Sequence, residues 1–270
     1  GFTPVKARRD YDAFEIRLDR RFADDYYFNA NYTYSRLYGN YSGLASTDEE
    51  GRTDPNVSRA FDAPFTEAVV AGGETLGRLA TDRPHVFKFA GAYSLDWNKR
   101  FGFGSNNTTE FQTFFTAQSG TPLTTLTDVA GYDTIILNGR GDLGRTEMYT
   151  ETDFAVRHRY RFGRDNRFTL VGEVDFLNVF NENNELGRFT RIDQLVYNLE
   201  DPANGLVTAL EASTLSSAAL LRLAQQRFSA NGAPGILSQA NDPAVRDPRF
   251  NLVDTFQPGR SIRFGFRFLF

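Results

Sequence analysis

Ser261-Ile262-Arg263-Phe264-Gly265-Phe266-Arg267-Phe268-Leu269-Phe270 is the stretch on which the reading of this chain turns. Ile262, Phe264, Phe266, Phe268 and Phe270 fall at every second position, and Ser261, Arg263, Gly265 and Arg267 fall between them. A period of two puts these sets on opposite faces of an extended strand. One face is almost purely aromatic, whereas the other carries full charges in mid-strand. A half-buried strand of a soluble sheet normally sets modest polar residues against an aliphatic core. Here the aromatics suit lipid and the arginines suit a wet interior, which is the pattern of a transmembrane barrel.

The same alternation recurs upstream. Tyr11–Arg20 sets Phe14, Ile16 and Leu18 against Glu15, Arg17 and Asp19, and Tyr26–Ser35 sets Tyr26, Phe28, Ala30, Tyr32 and Tyr34 against Tyr27, Asn29, Asn31, Thr33 and Ser35. His85–Trp97, Thr108–Ala117, Glu151–Phe162 and Arg167–Leu177 repeat it, with Phe89, Phe111, Val156 and Val174 on the apolar side. This gives seven strands. Short connections at Phe22–Asp25, Asn98–Arg100 and Gly163–Asn166 alternate with gaps at Arg36–Asp82, Gln118–Thr150 and Asn178–Arg260. Barrels of the outer membrane alternate short periplasmic turns with long external loops in this way, and compact soluble domains seldom hold loops of such length. The expected fold is therefore all-β: an antiparallel transmembrane β-barrel segment of seven meander strands over residues 1–270, with long external loops. One loop contains a short helix, read from the spacing of Leu206, Leu210, Leu220, Leu221 and Leu223 between Gly205 and Phe228.

Composition agrees and excludes alternatives. Phe and Tyr number 26 and 12 against one Trp and one Met, and both are strand formers that gather at lipid interfaces. No run approaches the roughly 18 apolar residues of a membrane-spanning helix. A net charge of -4 argues against a nucleic-acid partner. With no cysteine, disulfide frameworks and thiolate metal sites are ruled out. The start Gly1-Phe2-Thr3-Pro4 has neither an initiator Met nor a signal segment, and reads as a cut inside a longer polypeptide. Single-chain bacterial barrels have even strand numbers, so an odd seven is an incomplete barrel whose other strands lie upstream.

Several motifs resemble one family. The final strand is similar to the terminal assembly signal of outer-membrane barrels, which assigns that role to Phe264, Phe266, Phe268 and Phe270. Asp175-Phe176-Leu177-Asn178-Val179-Phe180-Asn181 is similar to the exit of the penultimate strand in TonB-dependent receptors. Arg9-Asp10-Tyr11-Asp12-Ala13, Asp82-Arg83-Pro84-His85, Gln118-Ser119-Gly120-Thr121-Pro122-Leu123-Thr124 and Asn138-Gly139-Arg140-Gly141-Asp142 resemble marks of its Oar-like branch, which carries a carboxypeptidase-regulatory-like domain at the N-terminus. The resemblance implies a barrel of about 22 strands around an internal plug, of which this piece holds wall and loops but no plug domain. It also implies the partners: outer-membrane lipid, the upstream plug and remaining strands, the barrel-assembly machinery, and TonB through the missing N-terminal part.

Catalysis needs a nucleophile, a base and an orienting group together. Only His85 and His158 exist; His158 falls on the lipid-facing register and His85 at an interfacial strand start. No enzyme and no cofactor are expected. Arg140-Gly141-Asp142 reads as a structural loop rather than an adhesive tripeptide. Asp48-Glu49-Glu50 with Asp54 reads as a solvated acidic loop rather than a calcium site. On the polar faces seven basic residues, among them Arg157, Arg159, Arg263 and Arg267, balance seven acidic ones, among them Glu173 and Asp175. That balance suits a wall contacting a polar plug better than a selective open pore. The expected function is uptake of an unidentified nutrient, the alternative being a structural or adhesive surface barrel without transport. One register is also expected. Pairing residues whose numbers sum to 330 sets Arg157 opposite Glu173, Phe154 opposite Phe176, Phe162 opposite Phe168 and His158 over Gly172. The competing sum of 328 opposes like charges, which is destabilising.

Overall fold

A computed structural model describes residues 8–40, 70–72, 75–102, 107–130 and 134–270. Its main sheet is an antiparallel meander of β1 (Arg9–Ala23), β2 (Tyr26–Gly39), β4 (His85–Asp96), β5 (Asn107–Gln118), β8 (Tyr149–Phe162), β9 (Phe168–Leu177) and β13 (Ser261–Leu269). The two-residue β3 (Gly77–Arg78) adds to the far end of β2. These are the seven expected strands, in the expected order. β1 and β13 stand at the two ends and do not pair with each other. At 9 to 15 residues, the strands are long enough to cross a bilayer when tilted.

Register carries one face across the whole sheet. Phe14 opposes Tyr34, Phe28 opposes Gly91, Phe89 opposes Phe115, Phe111 opposes Val156, Val156 opposes Val174, and Phe266 opposes Gly172. Phe14, Phe28, Phe89, Phe111, Val156, Val174 and Phe266 therefore share a single aromatic face, and none is enclosed in a protein core. Rings bridge adjacent strands along it, from Phe28–Phe89 (6.3 Å) to Phe154–Phe176 (6.5 Å) and Phe168–Phe268 (5.9 Å).

Turn chemistry ends the hairpins at one end of the sheet. Asp24 and Asp25 both hold positive φ, as a two-residue primed turn requires, and a bulge between Arg20 and Ala23 absorbs the odd residue. Gly163, Asp165 and Asn166 do the same for β8–β9. The third strand was expected to run to Trp97, but it stops at Asp96. The Asp96 carboxylate accepts from the backbone N–H of Asn98 and Lys99 and so starts the short helix α1 (Trp97–Phe101), which Gly102 closes in the left-handed region.

The opposite end of the sheet departs further from expectation. Its loops are folded structures. β6 (Leu126–Val129) pairs antiparallel with β7 (Thr134–Ile136) and parallel with β11 (Arg191–Tyr197), and β10 (Glu185–Arg188) pairs with β12 (Val253–Phe256). Where one short helix was expected there are three: α2 (Ala209–Thr214), α3 (Ser217–Asn231) and α4 (Pro234–Ala240). The break between α2 and α3 is a change of backbone conformation. Thr208 and Glu211 form a capping box that starts α2, and Leu215 and Ser216 adopt extended backbone before α3 begins. Pro234 then sits in the first turn of α4, where its missing N–H costs nothing.

Candidate functional site

The charged face of the sheet is built by the register. Arg157 lies between Glu110 on β5 and Glu173 on β9. Its guanidinium donates to Glu173 at 2.7 and 3.3 Å and stands 3.8 Å from Glu110, while Arg159 stands 3.9 Å from the other Glu110 oxygen. The sum-of-330 register holds throughout the β8–β9 hairpin, with Arg157, Phe154 and Phe162 opposite Glu173, Phe176 and Phe168. Arg263 opposes Asp175, and Arg267 opposes Val171. Arg157, Arg159, Glu173, Asp175, Arg263 and Arg267 thus share one face, as the alternation requires.

His158 does stand opposite Gly172, yet it does not cover that glycine. Its Nδ1 is 2.8 Å from Thr109 Oγ1, which also accepts from the Trp97 indole at 2.8 Å. Phe266 from the next strand brings its ring edge within 3.8 Å of where a Gly172 Cβ would stand. A large flat ring directly opposite shields the bare backbone, and the polar imidazole takes a hydroxyl instead. His85 is likewise engaged, its Nδ1 lying 2.8 Å from Tyr32 Oη beside the Tyr34 ring.

At the loop end the quoted motifs converge. Asp82 is fully buried. Its carboxylate accepts from Leu37 N at 2.6 Å and Arg78 at 3.2 Å and pairs with Arg145, which also donates to the carbonyls of Asp82 and Gly120 at 2.9 Å. Arg83 donates to Ser119 O at 2.8 Å, and its burial holds this guanidinium below its ordinary pKa. Gly120 is required by close approach, since a Cβ there would stand 1.8 Å from Thr146 O. Arg140 donates to Thr75 O (2.7 Å) and Asn40 O (3.3 Å), and Asp142 accepts from Thr125 N (2.7 Å). Both charges of the Arg140-Gly141-Asp142 tripeptide are therefore engaged: Arg140 binds its loop to the preceding one, and Asp142 braces its own loop. The Asp48-Glu49-Glu50 and Asp54 carboxylates lie outside the described residues.

Asn178 and Asn181 close the mouth of the longest loop. Both take the left-handed backbone that Asn tolerates. Asn178 donates to Pro258 O at 3.0 Å and accepts from Glu182 N at 2.7 Å, and Asn181 accepts from Arg260 N at 2.9 Å. The two asparagines pin the outgoing chain to a return segment some eighty residues later. Gln257 ties the same return to β8, donating to Thr150 O and Glu151, both at 3.1 Å. The resemblance flagged the asparagines; nothing in the local pattern flagged Gln257, Arg145 or the burial of Asp82.

Beyond these clasps the three loops share one core. Val70, Leu137, Ile192, Tyr197, Leu206, Phe228 and Ile236 belong to a single buried cluster drawn from all three. Val70 N donates to Ile136 O and Ala233 N to Val70 O, so the loops exchange backbone bonds as well as side chains. Several polar groups around this cap are paired. Burial, then the bond to Asp193, pushes the Tyr197 phenol up. Arg249 holds the Asp247 carboxyl well below its ordinary range, and Arg227 brings Glu211 down to about 2.

Residues 3–173 match the family described as outer membrane beta barrel domain. The chain belongs to that family. As an outer-membrane β-barrel domain it lies in the bacterial outer membrane. The barrel domain is also 31% identical, over 281 residues, to the TonB-dependent transporter Oar of Myxococcus xanthus. The alignment covers 99% of this chain and 23% of that relative. No solved structure matches. Membership accords with an open sheet whose end strands, β1 and β13, do not pair with each other. Among the described residues no helix is long and apolar enough to cross a membrane.

Proposed function

We infer that the chain is the C-terminal wall and external cap of a TonB-dependent transporter that takes up a nutrient across the outer membrane. The observation that carries this reading is the likeness to a transporter along essentially the whole chain. A face lined by both signs of charge supports it further, since it suits a wall contacting a polar plug better than a selective open pore. On this reading the upstream polypeptide supplies the plug, the remaining strands and the segment that engages TonB, and the Oar-like N-terminal domain precedes them. Arg157, Arg159, Glu173, Asp175, Arg263 and Arg267 then face the plug, and the cap forms the external vestibule. The role is transport and not catalysis. The full-length parent should confer TonB-dependent growth on at least one scarce nutrient. A parent that reaches the surface and alters only adhesion when deleted would overturn the reading in favour of a structural barrel.

Phe264, Phe266, Phe268 and Phe270 act as the assembly signal read by the barrel-assembly machinery. All four are open on the aromatic face, at 73, 84, 51 and 89% exposure. Deleting Phe270, or replacing Phe266 and Phe268 by Asp, should deplete the parent from outer-membrane fractions. Normal surface levels of both variants would remove this role.

A further inference from the structure

Asn-Gly pairs occur at Asn138-Gly139, Asn204-Gly205 and Asn231-Gly232, and all of them fall in the cap. In such a pair the glycine nitrogen can attack the asparagine Cγ, because no glycine side chain blocks the approach. A five-membered succinimide forms as the Cγ–Nδ2 bond breaks, and ammonia leaves with the proton given up by the glycine nitrogen. Water then opens the ring at either carbonyl, yielding aspartate or isoaspartate. No oxidant or other reactant is needed.

The fold treats the pairs differently. Asn204 is buried, its Nδ2 donates to Asn198 O, and the Gly205 N–H donates to Pro202 O at 3.1 Å. Asn231 ends α3, and the Gly232 N–H closes that helix on Phe228 O at 2.9 Å. Gly232 is also wedged under the first loop, since a Cβ there would stand 2.2 Å from Val70 O. A glycine N–H committed to a carbonyl must give up that bond before its nitrogen can attack. At Asn138 neither hold applies. Asn138 is exposed, and the Gly139 N–H donates to no acceptor among the described residues. Nothing lies within 4 Å of where a Gly139 Cβ would stand. Asn138 Nδ2 donates to Asp142 Oδ2 at 3.2 Å, so a carboxylate stands beside the departing nitrogen and favours its leaving as ammonium.

We propose that Asn138 is a self-modifying position, which converts to aspartate and isoaspartate without an enzyme and thereby loosens the cap. The change falls at a structural node. Asp142 accepts from Thr125 N at 2.7 Å, and Thr125 is buried. Thr125 O in turn accepts from Leu137 N at 3.0 Å, and Leu137 is fully enclosed in the cap core. An acid at position 138 replaces a donor to Asp142 by a second carboxylate, and like charges at that separation repel. Isoaspartate also lengthens the main chain by one carbon between Leu137 and Arg140. The Arg140 guanidinium holds Thr75 O and Asn40 O, so the Thr125 brace and the clasp to the preceding loop weaken together.

The test holds the full-length parent in outer-membrane vesicles, warm and at mildly alkaline pH, and maps its digest by mass spectrometry. The acid form should build up several-fold faster at Asn138 than at Asn204 or Asn231. It should be a mixture of aspartate and isoaspartate that takes its new oxygen from labelled water. In the denatured parent the sites should convert at comparable rates. If Asn138 is as far ahead there as in the folded parent, the fold selects nothing and the proposal fails. Folded-state conversion at Asn138 no faster than at the other sites, or none under conditions that convert the denatured chain, also overturns it. For the consequence, Asn138→Asp should open the Thr125 amide to hydrogen exchange and admit protease within residues 120–145, while gel mobility still reports an intact barrel. Asn138→Gln keeps a donor amide and closes no five-membered ring, so both signals should stay at the parent level. Unchanged protection in Asn138→Asp would overturn the loosening.

Discussion

The membrane sheet and the external cap are made from one chain and obey opposite rules. In the cap, Phe228, Leu137 and Ile236 are fully enclosed in a core gathered from three loops. In the sheet, phenylalanines of the same chemistry stand open, with Phe264 and Phe266 among the most exposed large residues. The difference lies in the solvent. On the function proposed above, the cap meets water and must hide apolar area, whereas the sheet meets lipid and has no gain from hiding it. Burial therefore identifies the core only after the medium on each face is known.

Substitutions in the two regions should separate them. Phe228→Ala removes a fully enclosed ring and should cost the cap about 3–5 kcal/mol. Limited proteolysis of the assembled parent should then cut within residues 205–240 while gel mobility still reports an intact barrel. Equal loss of both signals would show that cap and sheet fold as one unit. Phe264→Ala should leave both almost unchanged, because lipid fills the space of the lost ring. Phe264→Arg should cost about 2–4 kcal/mol if the residue sits near the bilayer midplane, read from refolding into vesicles. A neutral arginine there would place Phe264 in the headgroup region or against protein.

Smaller effects sharpen the comparison. A double-mutant cycle on Arg157 and Glu173 should give a coupling of roughly 0.2–1 kcal/mol, modest because both side chains are partly open on the charged face. A coupling near zero would mean the hairpin register is set by the turn at Gly163–Asn166 and not by charge. The smallest effect should be acid sensitivity of the cap. Arg227 lowers the Glu211 carboxyl from its ordinary 4.5 to about 2. A depressed folded value means the pairing contributes fully above pH 4.5 and is lost as pH falls toward 2. Protection of the α2–α3 segment from an acid-active protease should decline through that window, and Glu211→Gln should abolish the decline.

Much of the sheet was legible because its signal is local. Alternation over ten residues reports two media at once, and a single turn separates Arg157 from Glu173, so complementary charges sufficed to choose the register. The Gly172 site marks the limit of that reasoning. A glycine in a strand suggested a covering ring, and one neighbouring strand offered His158; the other, nearly a hundred residues later, offered Phe266. The helix estimate failed for a related reason. Leucine spacing between Gly205 and Phe228 reports helical phase, but the interruption lies in the extended backbone of Leu215 and Ser216, which that spacing does not encode.

The sequence by itself determined the strands, their order and the face each side chain takes, since a period of two needs only the nearest neighbours and two contrasting solvents. Tertiary structure alone decided that the three loops meet. Asp82 finds Arg145 across 63 positions and Asn178 finds Pro258 across 80, and loop closure over such distances leaves no periodic trace in either segment. It also decided where the balanced charges lie. Counting the charges of the polar strand faces returns neutrality, whereas pairing the strands gathers Arg159, Arg161 and Arg267 on one end of one face, because antiparallel register brings together in space what the count spreads over more than a hundred residues.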